Sequence, residues 1–81
     1  MARVILTGNL RQYTGDVVEF DLEVSTIAQL LRTLSQMHPQ LAPHLEAGIA
    51  VAIDGQIFQD ALLEQIPPHA EVHVMPQIAG G

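Results

Sequence analysis

The sequence predicts an α+β domain in which one amphipathic helix packs on one face of a small mixed sheet. Three observations carry that expectation. Apolar and acidic residues alternate from Val18 to Val24, the period-2 signature of a strand with one wet face. Ile27, Leu30, Leu31, Leu34 and Met37 then recur at helical spacing, so one stripe of a helix faces a core. Later, Asp54-Gly55 separates two short strand-like runs, and Glu71–Met75 alternates again with Val72 and Val74 on one face.

In chain order, Ala2–Thr7 is a β-rich run closed by Gly8-Asn9, and Leu10–Asp16 turns through Gly15. Val17–Val24 returns as the second strand, with Val18, Phe20, Leu22 and Val24 inward and Glu19, Asp21 and Glu23 on a solvated face. Thr26 and Gln29 make a capping-box pair at the helix start. Pro39 stops the helix near His38, because the residue before a proline is biased away from helical geometry. Gln40–Gly48 is expected to hold a short helical turn after Pro43. Ile49–Ile53 and Gln56–Phe58 form a hairpin, Asp60–Ile66 a turn or short helix, and Pro67-Pro68 a bend before the last strand. A helix across one face of a mixed sheet is the two-layer solution for such elements. Their order is that of a β-grasp (ubiquitin-like) fold, expected over residues 1–76, with 77–81 as a flexible tail ending in Gly-Gly.

Length and composition narrow the function. A domain of 81 residues buries roughly 60 to 65% of its unfolded surface. That leaves little room for a supported catalytic cleft. The net charge is −6, with three arginines and no lysine, which excludes the cationic face that nucleic acid requires. Such acidity favours solubility and steers the chain toward basic protein surfaces. There is no cysteine, so disulfides, thiolate metal sites and thiol catalysis are excluded. No apolar run approaches the ~20 residues of a membrane span, and no signal-peptide pattern opens the chain, so a cytoplasmic location is expected.

The histidines, His38, His44, His69 and His73, show no zinc-like spacing even with Glu71 nearby, and no metal site is expected. Arg11 and Tyr13 lie in the first loop, where a partner contact is conceivable from position alone. The glycines form neither a phosphate-cradling loop nor a dinucleotide fingerprint. The Gly80-Gly81 end has two readings. It is either a frayed terminus or a slim lead to a reactive α-carboxylate that can thread a narrow channel.

With that fold order, the chain resembles the MoaD/ThiS family of sulfur carriers over nearly its whole length. The residues that carry the resemblance are Gly8-Asn9-Leu10-Arg11-Gln12-Tyr13-Thr14-Gly15, the Ser25-Thr26-Ile27 helix entry with Leu30-Leu31, Ile53-Asp54-Gly55, and the tail Met75-Pro76-Gln77-Ile78-Ala79-Gly80-Gly81. Within the family it is most similar to the small subunit of molybdopterin synthase, by its length and its Pro-x-Ile-Ala-Gly-Gly ending. The resemblance implies a carrier rather than an enzyme. A ubiquitin-activating-type adenylyltransferase would use ATP to adenylate the Gly81 carboxylate, and a sulfur donor would convert it to a thiocarboxylate. A second partner, the large subunit of molybdopterin synthase or another sulfur-accepting enzyme, would receive the sulfur. No cofactor is held permanently. Gly81 would be the reactive residue, Gly80 would give clearance, and Met75, Ile78 and Ala79 would seat the tail on its partners.

The resemblance also implies an apolar docking patch on the open sheet face, mapping to Thr7, Ile57 and Met75. If Val4 and Leu6 face the helix, then Ile5 and Thr7 face out; Ala50 and Ala52 would add flat, uncharged area. Three other roles share these features: a carrier for cysteine, thiamine or another sulfur pathway, a modifier conjugated through Gly81, or a β-grasp interaction module with an idle tail.

Overall fold

The computed structural model describes residues 1–15 and 17–77. Five strands form one mixed sheet: β1 (Ala2–Leu6), β2 (Glu19–Leu22), β3 (Ile49–Ile53), β4 (Gln56–Gln59) and β5 (Glu71–Pro76). Their spatial order is β2-β1-β5-β3-β4, so the last strand of the chain occupies the centre. β1 and β5 run parallel, and every other neighbouring pair is antiparallel. The long helix α1 (Ile27–Met37) and the short α2 (Ala42–Glu46) lie between β2 and β3 in sequence. This is the expected β-grasp arrangement.

The core forms where the strand and helix periodicities meet. Val4 and Leu6 of β1, Val72 and Val74 of β5, and Ile49, Val51 and Ile53 of β3 are all buried in one cluster with Leu30 and Leu34 of α1. Phe20, Leu22 and Val24 join it, as the alternation required, while Glu19, Asp21 and Glu23 stay exposed. Acidic side chains on β2 also protect that sheet edge from pairing with another chain. Val18 is only half-buried, because β2 begins at Glu19, although the Val18 carbonyl still accepts the Leu6 N–H at 2.9 Å.

α1 begins as its capping pair dictates. Gln29 N–H donates to Thr26 Oγ1 at 3.2 Å. The remaining first-turn donors are met from outside the helix: Ile27 N–H reaches the Glu64 carbonyl at 3.0 Å and Ala28 N–H the Leu62 carbonyl at 2.9 Å. The 60–66 segment, expected as a turn or short helix, contains a turn in which Glu64 N–H donates to the Ala61 carbonyl at 3.0 Å, and it supplies acceptors to the helix N-terminus. At the other end the helix stops at its cap His38, before Pro39. Met37 does not complete the apolar stripe. It is 45% exposed, because the buried stripe of α1 ends a turn earlier, at Leu34, and Leu41 beyond Pro39 carries the core onward.

Two connections are more ordered than the sequence implied. Gly8–Tyr13, expected as a turn, is a 3-10 helix that buries Leu10. A second 3-10 turn, Pro39–Leu41, leads into α2 and starts the helical segment ahead of Pro43. The Asp54-Gly55 hairpin is as expected. Both residues have positive φ (48° and 91°), the geometry of a tight two-residue turn that matches strand twist. Asp54 Oδ1 also accepts the Glu71 N–H at 2.9 Å, tying the hairpin to the start of β5.

Candidate functional site: the sheet face and the exit of the last strand

Placing β5 in the centre of the sheet means that the chain leaves the domain between β1 and β3. On the β1 side, Thr7 N–H donates to the Val74 carbonyl at 2.9 Å, and Thr7 Oγ1 donates to the same oxygen at 3.3 Å. On the β3 side, Ile49 pairs with Pro76, and one step further Gln77 N–H donates to the Gly48 carbonyl at 3.3 Å. The exit is therefore held from both neighbours as far as Gln77. Ile78, Ala79, Gly80 and Gly81, the other expected tail residues, lie outside the described residues.

The open face of the sheet carries the expected docking positions. Ile5 pairs with His73, His73 with Ala52, and Ala52 with Ile57, giving one row across four strands. The adjacent row joins Met75, Ala50 and Gln59. Thr7 lies one step beyond the Leu6–Val74 pair, beside Met75. Thr7, Met75 and Ile57 thus share a face. Thr7 and Met75 are half-buried, and Ile57 is 51% exposed. Ala50 and Ala52 are buried rather than flat exposed area. They form the floor between taller neighbours, which is what small side chains do in a central strand.

Sequence reasoning missed two things at this site. His73 sits in the middle of the apolar row, with Nε2 3.6 Å from Glu71 Oε1; its strand register was legible, but its neighbours on other strands were not. Gly8 and Gly48 flank the exit, and their roles depend on a pairing between distant segments. The remaining histidines have local tasks. His44 stacks on Tyr13 with ring centroids 4.0 Å apart, and His38 meets the edge of Phe20 at 5.5 Å. His69 occupies an exposed turn at φ 65°. Among the described residues no group of three metal-ligating side chains is placed to hold an ion, and no helix is long and apolar enough to cross a membrane.

On the helix side, a groove of about 440 Å³ runs between α1 and the β3–β4 hairpin, lined largely by apolar residues such as Leu31, Leu45, Phe58 and Leu62.

The profile of the ThiS family matches residues 4–81, which includes both the sheet and the terminal diglycine. The chain belongs to the ThiS family.

Solved structures agree on the fold of this ThiS-family chain. It is similar to Mycobacterium tuberculosis CysO, described as an antigen, with a TM-score of 0.79 and 15% identity over 96% of this chain and 100% of that one. It is similar to small archaeal modifier protein 1 from Methanosarcina acetivorans, with a TM-score of 0.78 and 21% identity over 99% and 95%. A third is CysO of Amycolatopsis orientalis, solved in complex with BexX, with a TM-score of 0.74 and 17% identity over the full length of both chains. At these identities the likeness concerns the ubiquitin-like β-grasp fold of the ThiS-family chain. No curated protein sequence matches it.

Proposed function

We propose that this chain is a sulfur carrier that acts through the carboxylate of Gly81 and has no catalytic centre of its own. The observation that carries the reading is the family match running through Gly81 on a domain whose central strand ends at Pro76, five residues before it in sequence. A ubiquitin-activating-type partner binds ATP, and a Gly81 carboxylate oxygen attacks the α-phosphate and displaces pyrophosphate. In the resulting acyl-adenylate, AMP replaces a poor leaving group. A sulfide equivalent from a donor displaces AMP and leaves a thiocarboxylate, which delivers its sulfur in a second partner. Electrostatic stabilisation and proton transfer come from the partners. The carrier contributes a slim terminus, with Gly80, Ala79 and Ile78 in the partner's channel, and a docking face of Thr7, Ile57 and Met75. The site of action is the cytoplasm.

The acceptor proposed is the large subunit of molybdopterin synthase, a reading supported by the resemblance of the Pro76–Gly81 ending to that of the enzyme's small subunit. Acceptors in cysteine or thiamine synthesis suit the same carrier, so thiocarboxylated protein is to be offered to each. A modifier role, with Gly81 joined to lysines of target proteins, is favoured by the likeness to small archaeal modifier protein 1. Having no lysine, the chain cannot extend polymers through its own side chains.

Intact-mass measurement decides between these roles. After incubation with ATP, an activating enzyme and a sulfur donor, replacement of one oxygen by sulfur at Gly81 supports the carrier. Larger adducts on target proteins support the modifier. If neither forms, and removal of Gly81 leaves partner function untouched, the tail is idle and the proposal fails.

A further inference from the structure

Four of the glycines have positive φ, and they allow two pairwise comparisons. Gly8 and Gly15 share φ +65°, while Gly48 and Gly55 have φ +122° and +91°. Backbone strain explains why each is glycine, since residues with a Cβ rarely adopt these conformations. It does not explain a second difference within each pair. A methyl built on Gly15 or Gly55 would meet open space. A methyl built on Gly8 would lie 3.0 Å from Pro76 Cδ and 3.3 Å from Pro76 Cγ. A methyl built on Gly48 would run into the Gln77 side-chain amide, with Gln77 Cδ at 3.1 Å. The two crowded glycines approach β5 from opposite sides, at the point where the chain leaves the sheet.

We infer that Gly8 and Gly48 are positioning residues: a two-sided clamp on Pro76–Gln77 that fixes the direction of the chain beyond the sheet and so the placement of the Gly81 carboxylate. Its role in the reaction rests on the carrier reading above; its geometry does not. The two arms work differently. Pro76 is a closed ring with no long flexible end, so a methyl at Gly8 requires the ring or the backbone beside it to give by a few tenths of an ångström. The Gln77 amide can swing away from a methyl at Gly48, but φ +122° lies outside the left-handed helical region that other residues tolerate, so Gly48 itself must move. Its carbonyl moves with it, and that carbonyl holds the Gln77 N–H.

Length makes the clamp matter. From Gln77 the four residues Ile78 to Gly81 span at most about 14 Å when fully extended. A tail that short, seated in a partner already docked on the sheet face, has little slack to absorb a displaced base. Misplacement of a reacting group by about 1 Å is enough to cost orders of magnitude in rate.

The two comparisons supply the test. Gly8→Ala and Gly15→Ala are compared in full-length protein, as are Gly48→Ala and Gly55→Ala, in the ATP-dependent assay with an activating enzyme and sulfide donor. Thermal melting is followed in parallel. Melting temperature falls in all four. The kcat for thiocarboxylate formation falls about fivefold or more in Gly8→Ala and Gly48→Ala, with KM for the carrier within about twofold of wild type. Gly15→Ala and Gly55→Ala retain wild-type kcat below their melting temperatures. Equal losses of kcat within each pair overturn the proposal. Amide exchange at Gln77 provides a readout that needs no partner. It is faster by about tenfold in the two clamp variants and unchanged in their controls. If wild-type protein is never activated, the carrier reading falls and Gln77 exchange alone decides the clamp: a selective increase sustains it, and no difference within the pairs sinks it.

Discussion

Thr26 and Gln29 hold the first turn of α1 between them: Gln29 N–H donates to Thr26 Oγ1 at 3.2 Å, while Gln29 Oε1 accepts the Ser25 N–H at 2.8 Å. The return bond goes to the residue before the cap rather than to the cap itself, so the pair also fixes how the chain enters the helix. Thr26→Ala removes the acceptor and leaves Gln29 N–H without it. The expected cost is about 1 kcal/mol, read from urea denaturation. Thr26→Ser restores most of that stability. A Thr26→Ala protein as stable as wild type would show that the 62–64 carbonyls hold the helix start unaided.

Leu34 is fully buried under the sheet, while Met37, one turn later, is 45% exposed. Truncating Leu34 to Ala removes apolar contacts from a close-packed core and leaves a cavity, for about 3 kcal/mol. For a domain this small, that approaches the whole stability margin. Met37→Ala should change stability by less than about 0.5 kcal/mol. Denaturant midpoints of the two variants check the contrast, and a Met37→Ala loss comparable to Leu34→Ala would contradict the burial pattern.

These two leucine and methionine positions show what was legible in the sequence. Periodicity named the helix face and the strand faces, because side-chain direction follows from local geometry. It could not say where along α1 the buried stripe stops, and so included Met37. The β-grasp order was legible because each element is bounded by a strong local signal: Thr26 with Gln29, Pro39, and Asp54-Gly55. The 3-10 helix at Gly8–Tyr13 was not, since its one buried residue, Leu10, gives no period. Of the site, the family resemblance mapped Thr7, Ile57 and Met75 to one face, and alternation along the first and last strands turned Thr7 and Met75 outward. The central place of His73 and the crowding at Gly8 and Gly48 come from the parallel β1–β5 pairing and the β3–β5 register. Both join segments that seventeen or more residues separate, beyond the reach of any local pattern.

Ile57 separates docking from folding. It is 51% exposed on the open face, so Ile57→Asp should alter stability by less than about 0.5 kcal/mol. If the proposed carrier docks through this face, a charge at that position should weaken binding to the activating enzyme about tenfold or more. Leu63→Asp is the control, because Leu63 is 88% exposed in the loop over the helix start. Titration calorimetry with the partner checks both. Equal effects at Ile57 and Leu63 would move the docking surface off the sheet face.

Arg3 and Glu19 give a prediction about pH. Arg3 Nη2 lies 3.0 Å from Glu19 Oε1 and 3.1 Å from Oε2, across the β1–β2 edge. The hydrogen bond to Glu19, and then its charge, raise the guanidinium pKa above an already high ordinary value. A pKa raised on folding contributes stability that is complete below the unfolded value and is lost only as pH rises through the folded one. For a guanidinium that window is strongly alkaline, so deprotonation of Arg3 plays no part near neutrality. Both side chains are more than half exposed, and solvent and salt screen such pairs heavily. Melting curves of Arg3→Gln and wild type should therefore run parallel between about pH 6 and 9. Any small offset should shrink as salt is added. A gap between the two proteins that widened within that pH range would mean that Arg3 answers to a titrating group other than its own.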